Sequence, residues 1–294
     1  MAPLEAGRRL KLLFIAVNCD EDFFGPVRCG MADAAALMGV DAEFTGTVGV
    51  DAIGMAAIAR LGLEQGVDGL AIVVFDAGAF APVIAEARGR GVPVVAFNIG
   101  ADRDKAGTLS SIAQDFPAAG RALARRVAAD IGPGSTVLLT MHDPGISALE
   151  ERRDGIKAGL ANQGIEWVET VTSHYPEEAA RHILRILAQR PDISAVLATG
   201  QADTEGAALA AELMSRPVYV AGFDLSPTIL RLIEAGHLAC TTDQQPYTQG
   251  FYPVIQLVLH IRYGLLPVDM DAGAAIIDRT NVARIGALSA AGFR

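Results

Sequence analysis

Carboxylate and amide side chains follow short apolar runs in this chain. Asp224 comes directly after the run 218–223, and Gln244 follows the run 238–242. Such side chains offer paired hydrogen-bond donors and acceptors that suit neighbouring hydroxyl groups. In an open α/β sheet, ligands bind beyond the carboxyl ends of the strands. If the apolar runs are parallel strands, these residues are candidates for binding a small hydroxylated molecule.

Other polar or aromatic residues follow further apolar runs in the same way. In chain order they are Asn18, Phe23, Phe24, Asp76, Asn98, Gln114, Asp115, His142, Asp143, Gln201, Asp203. Aromatic faces suit the C–H face of a sugar ring. The alternative is that Asp and Asn after strands cap the following helices, and that the two phenylalanines belong to the core. The number of such residues at one edge of two sheets favours a binding site.

Strand-like and helix-like segments alternate along the chain. Continuous apolar runs predict buried strands at 11–17, 42–45, 69–75, 92–97, 135–141, 165–171, 194–199, 218–223 and 238–242. Helical spacing lies between them, at 26–38, 50–63, 80–90, 116–130, 148–163, 176–189, 204–214 and 244–265. We also interpret 274–284 as a strand. The alternation predicts an α/β protein with mostly parallel sheets and helices on both faces.

The pattern restarts near residues 109–114, which predicts two doubly wound, Rossmann-like lobes. The tail segments are too short for a third domain, so we expect them to return to the two lobes and the chain to cross between the lobes several times. The predicted N-terminal lobe is 1–113 plus 245–273. The predicted C-terminal lobe is 114–244 plus 274–294.

Composition and motifs exclude several classes of function. With 34 acidic and 24 basic residues, the net charge of -10 argues against nucleic-acid binding. There is no G-x-G-x-x-G turn after the first run, no G-x-S-x-G elbow and no H-E-x-x-H. The five histidines lack metal-ligand spacing. We therefore expect no enzyme activity, no cofactor and no metal.

Neither membrane insertion nor disulfide formation is expected. The apolar run 12–17 is too short for a signal-peptide core, and no apolar stretch reaches the length of a membrane span. Cys19, Cys29 and Cys240 show no C-x-x-C spacing, and their odd number argues against a disulfide framework. We expect these cysteines to be buried as small apolar residues.

Several short motifs together resemble one known family. They are Phe23-Phe24, Pro-Val-Val-Ala-Phe-Asn at 93–98, Ile-Ala-Gln-Asp at 112–115, Arg152 before Gly155, Ala-Thr-Gly at 198–200, Gly-Phe-Asp at 222–224 and Asp-Gln-Gln-Pro-Tyr at 243–247. The chain resembles type I periplasmic solute-binding proteins of sugar ABC transporters, in the ribose-binding group. The resemblance implies two lobes, three hinge crossovers and a sugar enclosed between the lobes.

The resemblance also implies a set of ligand-binding residues. They are Phe23, Phe24, Asn98, Gln114, Asp115, His142, Arg152, Tyr175, Gln201, Asp224 and Gln244. Ile99 stands where the ribose group has an arginine, so the choice of sugar does not carry over. The implied protein is a periplasmic monomer that binds a monosaccharide or polyol and is recognised, once closed, by a membrane permease. Its signal peptide is expected to be absent from this sequence.

Two other classes of function stay open at this point. A cytosolic, sugar-sensing effector domain of a repressor could use the same fold, but it would need a DNA-binding helix-turn-helix before the first strand. An enzyme on a doubly wound scaffold is the other alternative, and neither a nucleophile–base pair nor a cofactor turn supports it.

Overall fold

The protein consists of two compact α/β units. The structure is a computed structural model, and it describes residues 8–20, 22–100 and 102–294. Unit 1 comprises the chain up to Gln114, Gln245–Ala272 and Phe293; unit 2 comprises Asp115–Gln244, Gly273–Gly292 and Arg294. In the body of the chain, the backbone passes from one unit to the other after Gln114, Gln244 and Ala272.

The first part of unit 1 alternates strands and helices as predicted. Its strands are β1 (Lys11–Ala16), β2 (Asp41–Gly46), β3 (Gly69–Val74), β4 (Val94–Gly100) and β5 (Ser111–Ala113). Its helices are α1 (Phe24–Met38), α2 (Ala52–Glu64), α3 (Ala77–Gly89) and the short α4 (Arg103–Ala106). All six residues of β3 are buried, as expected of a central strand covered by helices on both faces.

Unit 2 repeats this alternation. Its helices are α5 (Phe116–Ile131), α6 (Ser147–Gly159), α7 (Pro176–Gln189), α8 (Gln201–Leu213) and α9 (Pro227–Ala235). Its strands are β6 (Thr136–Met141), β7 (Glu166–Val171), β8 (Ile193–Ala198), β9 (Tyr219–Phe223) and β10 (Cys240–Asp243). Helix α9 was not predicted as a helix; Ser226 begins it by accepting a hydrogen bond from the Ile229 N–H at 3.0 Å.

The tail of the chain returns to both units. Helix α10 (Pro246–Tyr263) and strand β11 (Met270–Asp271) belong to unit 1, whereas β12 (Ala275–Asp278) and α11 (Val282–Ala290) belong to unit 2. The sheet of unit 1 has the order β11-β5-β4-β3-β1-β2 and is parallel throughout. The sheet of unit 2 has the order β12-β10-β9-β8-β6-β7, with β12 antiparallel to β10. These sheets confirm the predicted fold class.

Two predictions about the tail and the cysteines were wrong. The segment 274–284 is a strand only as far as Asp278, because the Asp278 side chain then accepts a hydrogen bond from the Thr280 N–H at 2.9 Å and turns the chain. A helix follows from Val282. Of the cysteines only Cys240 is buried, and Cys29 is exposed on the outer face of α1.

Close helix packing positions the strand ends in unit 1. Helices α1 and α10 cross at two glycines, and a methyl group on Gly30 or Gly250 would collide with the backbone of the facing helix. Phe14 and Phe97, on β1 and β4, pack edge to face with ring centroids 5.2 Å apart. Within the described residues, no helix is long and apolar enough to cross a bilayer.

Candidate ligand-binding site

A buried ion pair lies at the carboxyl ends of β8 and β9 in unit 2. The Arg152 side chain comes from α6 and is 2% exposed. Its Nη1 donates to the Thr199 carbonyl oxygen at 2.9 Å and to Asp224 Oδ2 at 3.3 Å. Gln244 Nε2 donates to the other carboxylate oxygen of Asp224 at 2.6 Å. Three of the predicted site residues therefore form one hydrogen-bonded network.

Aromatic rings flank the guanidinium of this network. The Arg152 Cζ lies 4.4 Å from the ring centroid of Phe223 and 5.2 Å from that of Phe116. Burial lowers the pKa of Arg152, while the nearby charge of Asp224 opposes that shift. A guanidinium keeps its proton in proteins, so the network presents a fixed cation and a fixed carboxylate. Such a pair can bind hydroxyl groups as both donor and acceptor.

Left-handed backbone conformations occur near the carboxyl ends of several strands in both units. Among the described residues, the non-glycine positions with positive φ are Asn18, Asn98, Asp102, Asp224 and Gln245. This backbone conformation costs free energy in a non-glycine residue. It persists where the surrounding structure imposes it, often at ligand sites. At Asp224 the conformation is fixed by two backbone hydrogen bonds, from its N–H to the Thr242 carbonyl and from Thr241 Oγ1 to its own carbonyl, both at 2.8 Å.

In unit 1 the predicted residue Asn98 is held from a neighbouring helix. Asn98 is 7% exposed, has a φ of 63° and lies near the end of β4. Its Nδ2 donates to Oε1 of Gln249, a fully buried residue of α10, at 3.1 Å. Gln249 was not predicted as a site residue. No sequence pattern marks it, because its contact with Asn98 joins residues 151 positions apart in the chain.

The two predicted phenylalanines differ in their surroundings. Phe24 is 2% exposed and packs against Phe44, with ring centroids 5.5 Å apart. Phe23 is half-buried and contacts Phe24 edge to face at 5.0 Å. Phe24 thus belongs to the core of unit 1, whereas Phe23 has more surface to offer a ligand. Contact of either ring with a sugar stays a prediction.

Two acidic residues that follow strands cap helices, and a third, Asp203, lies in the first turn of α8 and takes part in a capping box there. Asp76 accepts from the Gly78 N–H at 2.8 Å, and Asp115 accepts from the Ala118 N–H at 2.8 Å. Asp203 is fully buried and accepts from the N–H groups of Thr199 and Gly200 at 2.9 and 3.0 Å. The capping alternative thus applies to these residues. A ligand contact of Asp115, which is exposed, stays a prediction.

The other predicted residues lie at separate places in the two units. Gln114 is buried at the point where the chain leaves unit 1. Gln201 is half-buried in the first turn of α8. Tyr175 is 55% exposed at the start of α7, and its ring lies 4.1 Å from that of His174. Their contacts with a ligand also stay predictions.

His142 belongs to a second polar cluster in unit 2. Its Nδ1 lies 3.1 Å from Asp143 Oδ2, and His174 Nδ1 lies 3.6 Å from Asp143 Oδ1. The hydrogen bond with His142 lowers the pKa of Asp143 below its ordinary value of 3.8, burial opposes that shift, and His174 adds to it. Across the described residues, no group of three or more His, Cys, Asp and Glu side chains is arranged to hold a metal ion.

The shifted pKa of Asp143 predicts a pH dependence of stability. A carboxyl group with a depressed pKa stabilises the fold above its unfolded-state pKa, and this contribution is lost as pH falls through the folded-state pKa. We expect Asp143→Asn to lower the free energy of unfolding by about 1 kcal/mol at pH 6, with the difference from the parent vanishing below about pH 3. Urea unfolding at several pH values measures it. A difference that stays constant down to pH 3 would contradict the assignment.

Comparison with known proteins gives the family. A family model described as a periplasmic binding protein domain matches residues 12–264. The chain belongs to this family, and its fold is that of the type I members. The resemblance inferred from the sequence motifs is confirmed.

Named relatives cover almost the whole chain. A xylose/arabinose-binding protein of Sulfolobus acidocaldarius is 27% identical over 92% of this chain and 72% of its own length. A carbohydrate transporter of Acidothermus cellulolyticus 11B, solved with myo-inositol, is 27% identical, covers 98% of this chain and 100% of its own, and has a TM-score of 0.86. An ABC-transporter solute-binding protein of Burkholderia graminis, solved with D-arabinose, shares the fold at 23% identity. It covers 95% of this chain and 98% of its own, with a TM-score of 0.85.

Proposed function

We propose that this protein is the extracytoplasmic solute-binding subunit of an ABC importer and that its ligand is a monosaccharide or sugar alcohol. The buried network of Arg152, Asp224 and Gln244 carries the proposal, because it holds donors and acceptors for neighbouring hydroxyl groups in fixed positions. Relatives named for xylose and arabinose, or solved with myo-inositol, support a small polyhydroxylated ligand.

Ligand binding would act through a shift between conformations. A sugar that hydrogen-bonds Asn98 of unit 1 together with Arg152 and Asp224 of unit 2 would favour the arrangement in which both units reach it. Its differential affinity for that state sets how far the equilibrium moves. We propose that the ligand-closed state is the form that a membrane permease binds.

The proposal also covers the mode of action, the oligomeric state and the cellular compartment of the protein. The protein would act by binding alone, without a catalytic step, as a monomer in the periplasm. Membership of a family of periplasmic binding proteins supports the binding role and the periplasmic location. The alternative of a cytosolic repressor domain is not proposed, because the relatives described above are named as binding and transport proteins.

A thermal-shift screen followed by calorimetric titration tests the proposed function. We expect at least one member of a panel of pentoses, hexoses, alditols and inositols to raise the Tm by several degrees. A ligand at 1,000 times its Kd adds about 4 kcal/mol to the stability of the folded state. Arg152→Met should abolish the shift. Arg153→Met is the matched control, since Arg153 lies beside it on α6 and bonds only the exposed Asp154 among the contacts described. A panel without any stabilising sugar would contradict the proposal.

A further inference from the structure

Gln244 lies between two residues that are held by later parts of the chain. On one side, Asp243 Oδ2 accepts a hydrogen bond from Arg294 Nη1 at 2.7 Å. On the other side, Gln245 Nε2 donates to the Ala272 carbonyl oxygen at 2.7 Å. The backbone that carries Gln244 is therefore held before and after this residue, at the point where the chain leaves unit 2.

The carboxylate of the Asp243–Arg294 ion pair is buried. The Asp243 side chain is 2% exposed, and that of Arg294 is 23% exposed. A short hydrogen bond between two charged groups is stronger than one between neutral groups. Removing the guanidinium would leave a buried carboxylate without the cation that faces it, which costs free energy. The ion pair therefore holds the end of β10 directly before Gln244.

The segment after α11 brings Arg294 to this carboxylate. Gly292 has a φ of 82° and turns the chain out of the helix in the left-handed conformation that glycine favours. The ring of Phe293 then packs against that of Tyr247, with ring centroids 5.3 Å apart. The Tyr247 hydroxyl donates to Asp33 Oδ2 of α1 at 2.7 Å, which fixes the ring that Phe293 contacts. Packing at Phe293 thus orders the backbone that carries Arg294.

We infer that Arg294 is a positioning residue for sugar binding. The inference rests on the proposed function. By holding Asp243, Arg294 fixes the position of the adjacent Gln244. The Gln244 amide donates to Asp224 Oδ1 at 2.6 Å and so fixes the orientation of that carboxylate. A binding site keeps its geometry only when surrounding contacts hold its members in place. Arg294 acts through its neighbours and needs no contact with the sugar.

Arg294→Gln tests this inference, because it removes the positive charge from a partly exposed side chain. We expect the Kd for the sugar found by the screen to rise at least about 10-fold in calorimetric titration below the Tm of the variant. The Tm should also fall, because the Asp243 carboxylate stays buried. Arg284→Gln is the matched control. Arg284 is exposed on α11 and forms no hydrogen bond or ion pair within the described ranges, so its variant should keep the Tm and the Kd of the parent.

The double variant Asp243→Asn/Arg294→Gln distinguishes positioning from a role in stability alone. It removes the buried charge, so its Tm should return towards that of the parent. The contact that holds the residue before Gln244 stays absent, so the Kd should remain raised. A double variant with the Kd of the parent, or a folded Arg294→Gln variant with that Kd, would overturn the positioning role and leave the proposed function intact. A parent protein that binds none of the sugars would overturn the proposed function and this inference with it.

Discussion

Asp224→Asn is expected to abolish sugar binding and to destabilise unit 2. Asparagine accepts the left-handed backbone at this position, so the change removes mainly the negative charge. The Arg152 guanidinium then loses its buried counter-charge at Asp224 Oδ2, 3.3 Å away. Removing one member of a buried ion pair typically costs about 3–5 kcal/mol. We therefore expect the Tm to fall by roughly 10 °C. Thermal unfolding monitored by circular dichroism measures this change.

A double variant separates stability from binding. In Arg152→Met/Asp224→Asn the buried charge is gone, and the Phe116 and Phe223 rings can pack against the methionine. Most of the lost stability should return, because apolar replacements of buried ion pairs are often well tolerated. Sugar binding should stay absent. Restored binding in this double variant would show that the ion pair serves the fold alone.

Gly250→Ala is expected to have the second large effect, through the packing of unit 1. The added methyl group would overlap the Val27 carbonyl oxygen and force α1 away from α10. The cost should reach or exceed the upper end of the about 1–3 kcal/mol usual for overpacking, since backbone rather than side chain must move. Gln249, the neighbour of Gly250, holds Asn98, so we also expect weaker sugar binding in calorimetric titration.

Gly89→Ala is the matched control for this change. Gly89 ends α3 in the same unit, and a methyl group there would meet no atom within 4 Å. This variant should unfold at the parent's temperature or slightly above it, with sugar affinity unchanged. A Gly250→Ala variant as stable as this control would show that the two helices can separate without strain.

The fold was predictable because its signals are local and strong. Runs such as 69–75 are continuously apolar, and the structure buries every residue of β3. Helix ends also carry local signals, since Gly39 lies in the left-handed region at the C-terminus of α1. One error lies after Asp278, where a side-chain hydrogen bond ends the strand and turns the chain. The other is α9, an amphipathic segment that was not assigned as a helix.

The candidate site was only partly predictable. Arg152, Asp224 and Gln244 are far apart in sequence, and the motif resemblance named all three before the structure joined them. Sequence alone did not separate the carboxylate of the candidate site from a helix cap, because Asp224 and Asp76 both follow strands. The difference lies in their partners: Asp76 bonds backbone N–H groups, whereas Asp224 bonds two side chains. Positive φ angles and the Gln249 contact depend on tertiary structure and leave no pattern in the sequence.

The crystal structure of the protein with the tightest-binding sugar of the panel tests the central claim most directly. We expect hydroxyl groups of one sugar molecule within about 2.7–3.2 Å of Asp224 and Arg152 from unit 2 and of Asn98 from unit 1. A sugar bound elsewhere, or one that contacts neither Arg152 nor Asp224, would contradict the account of how this protein binds its ligand.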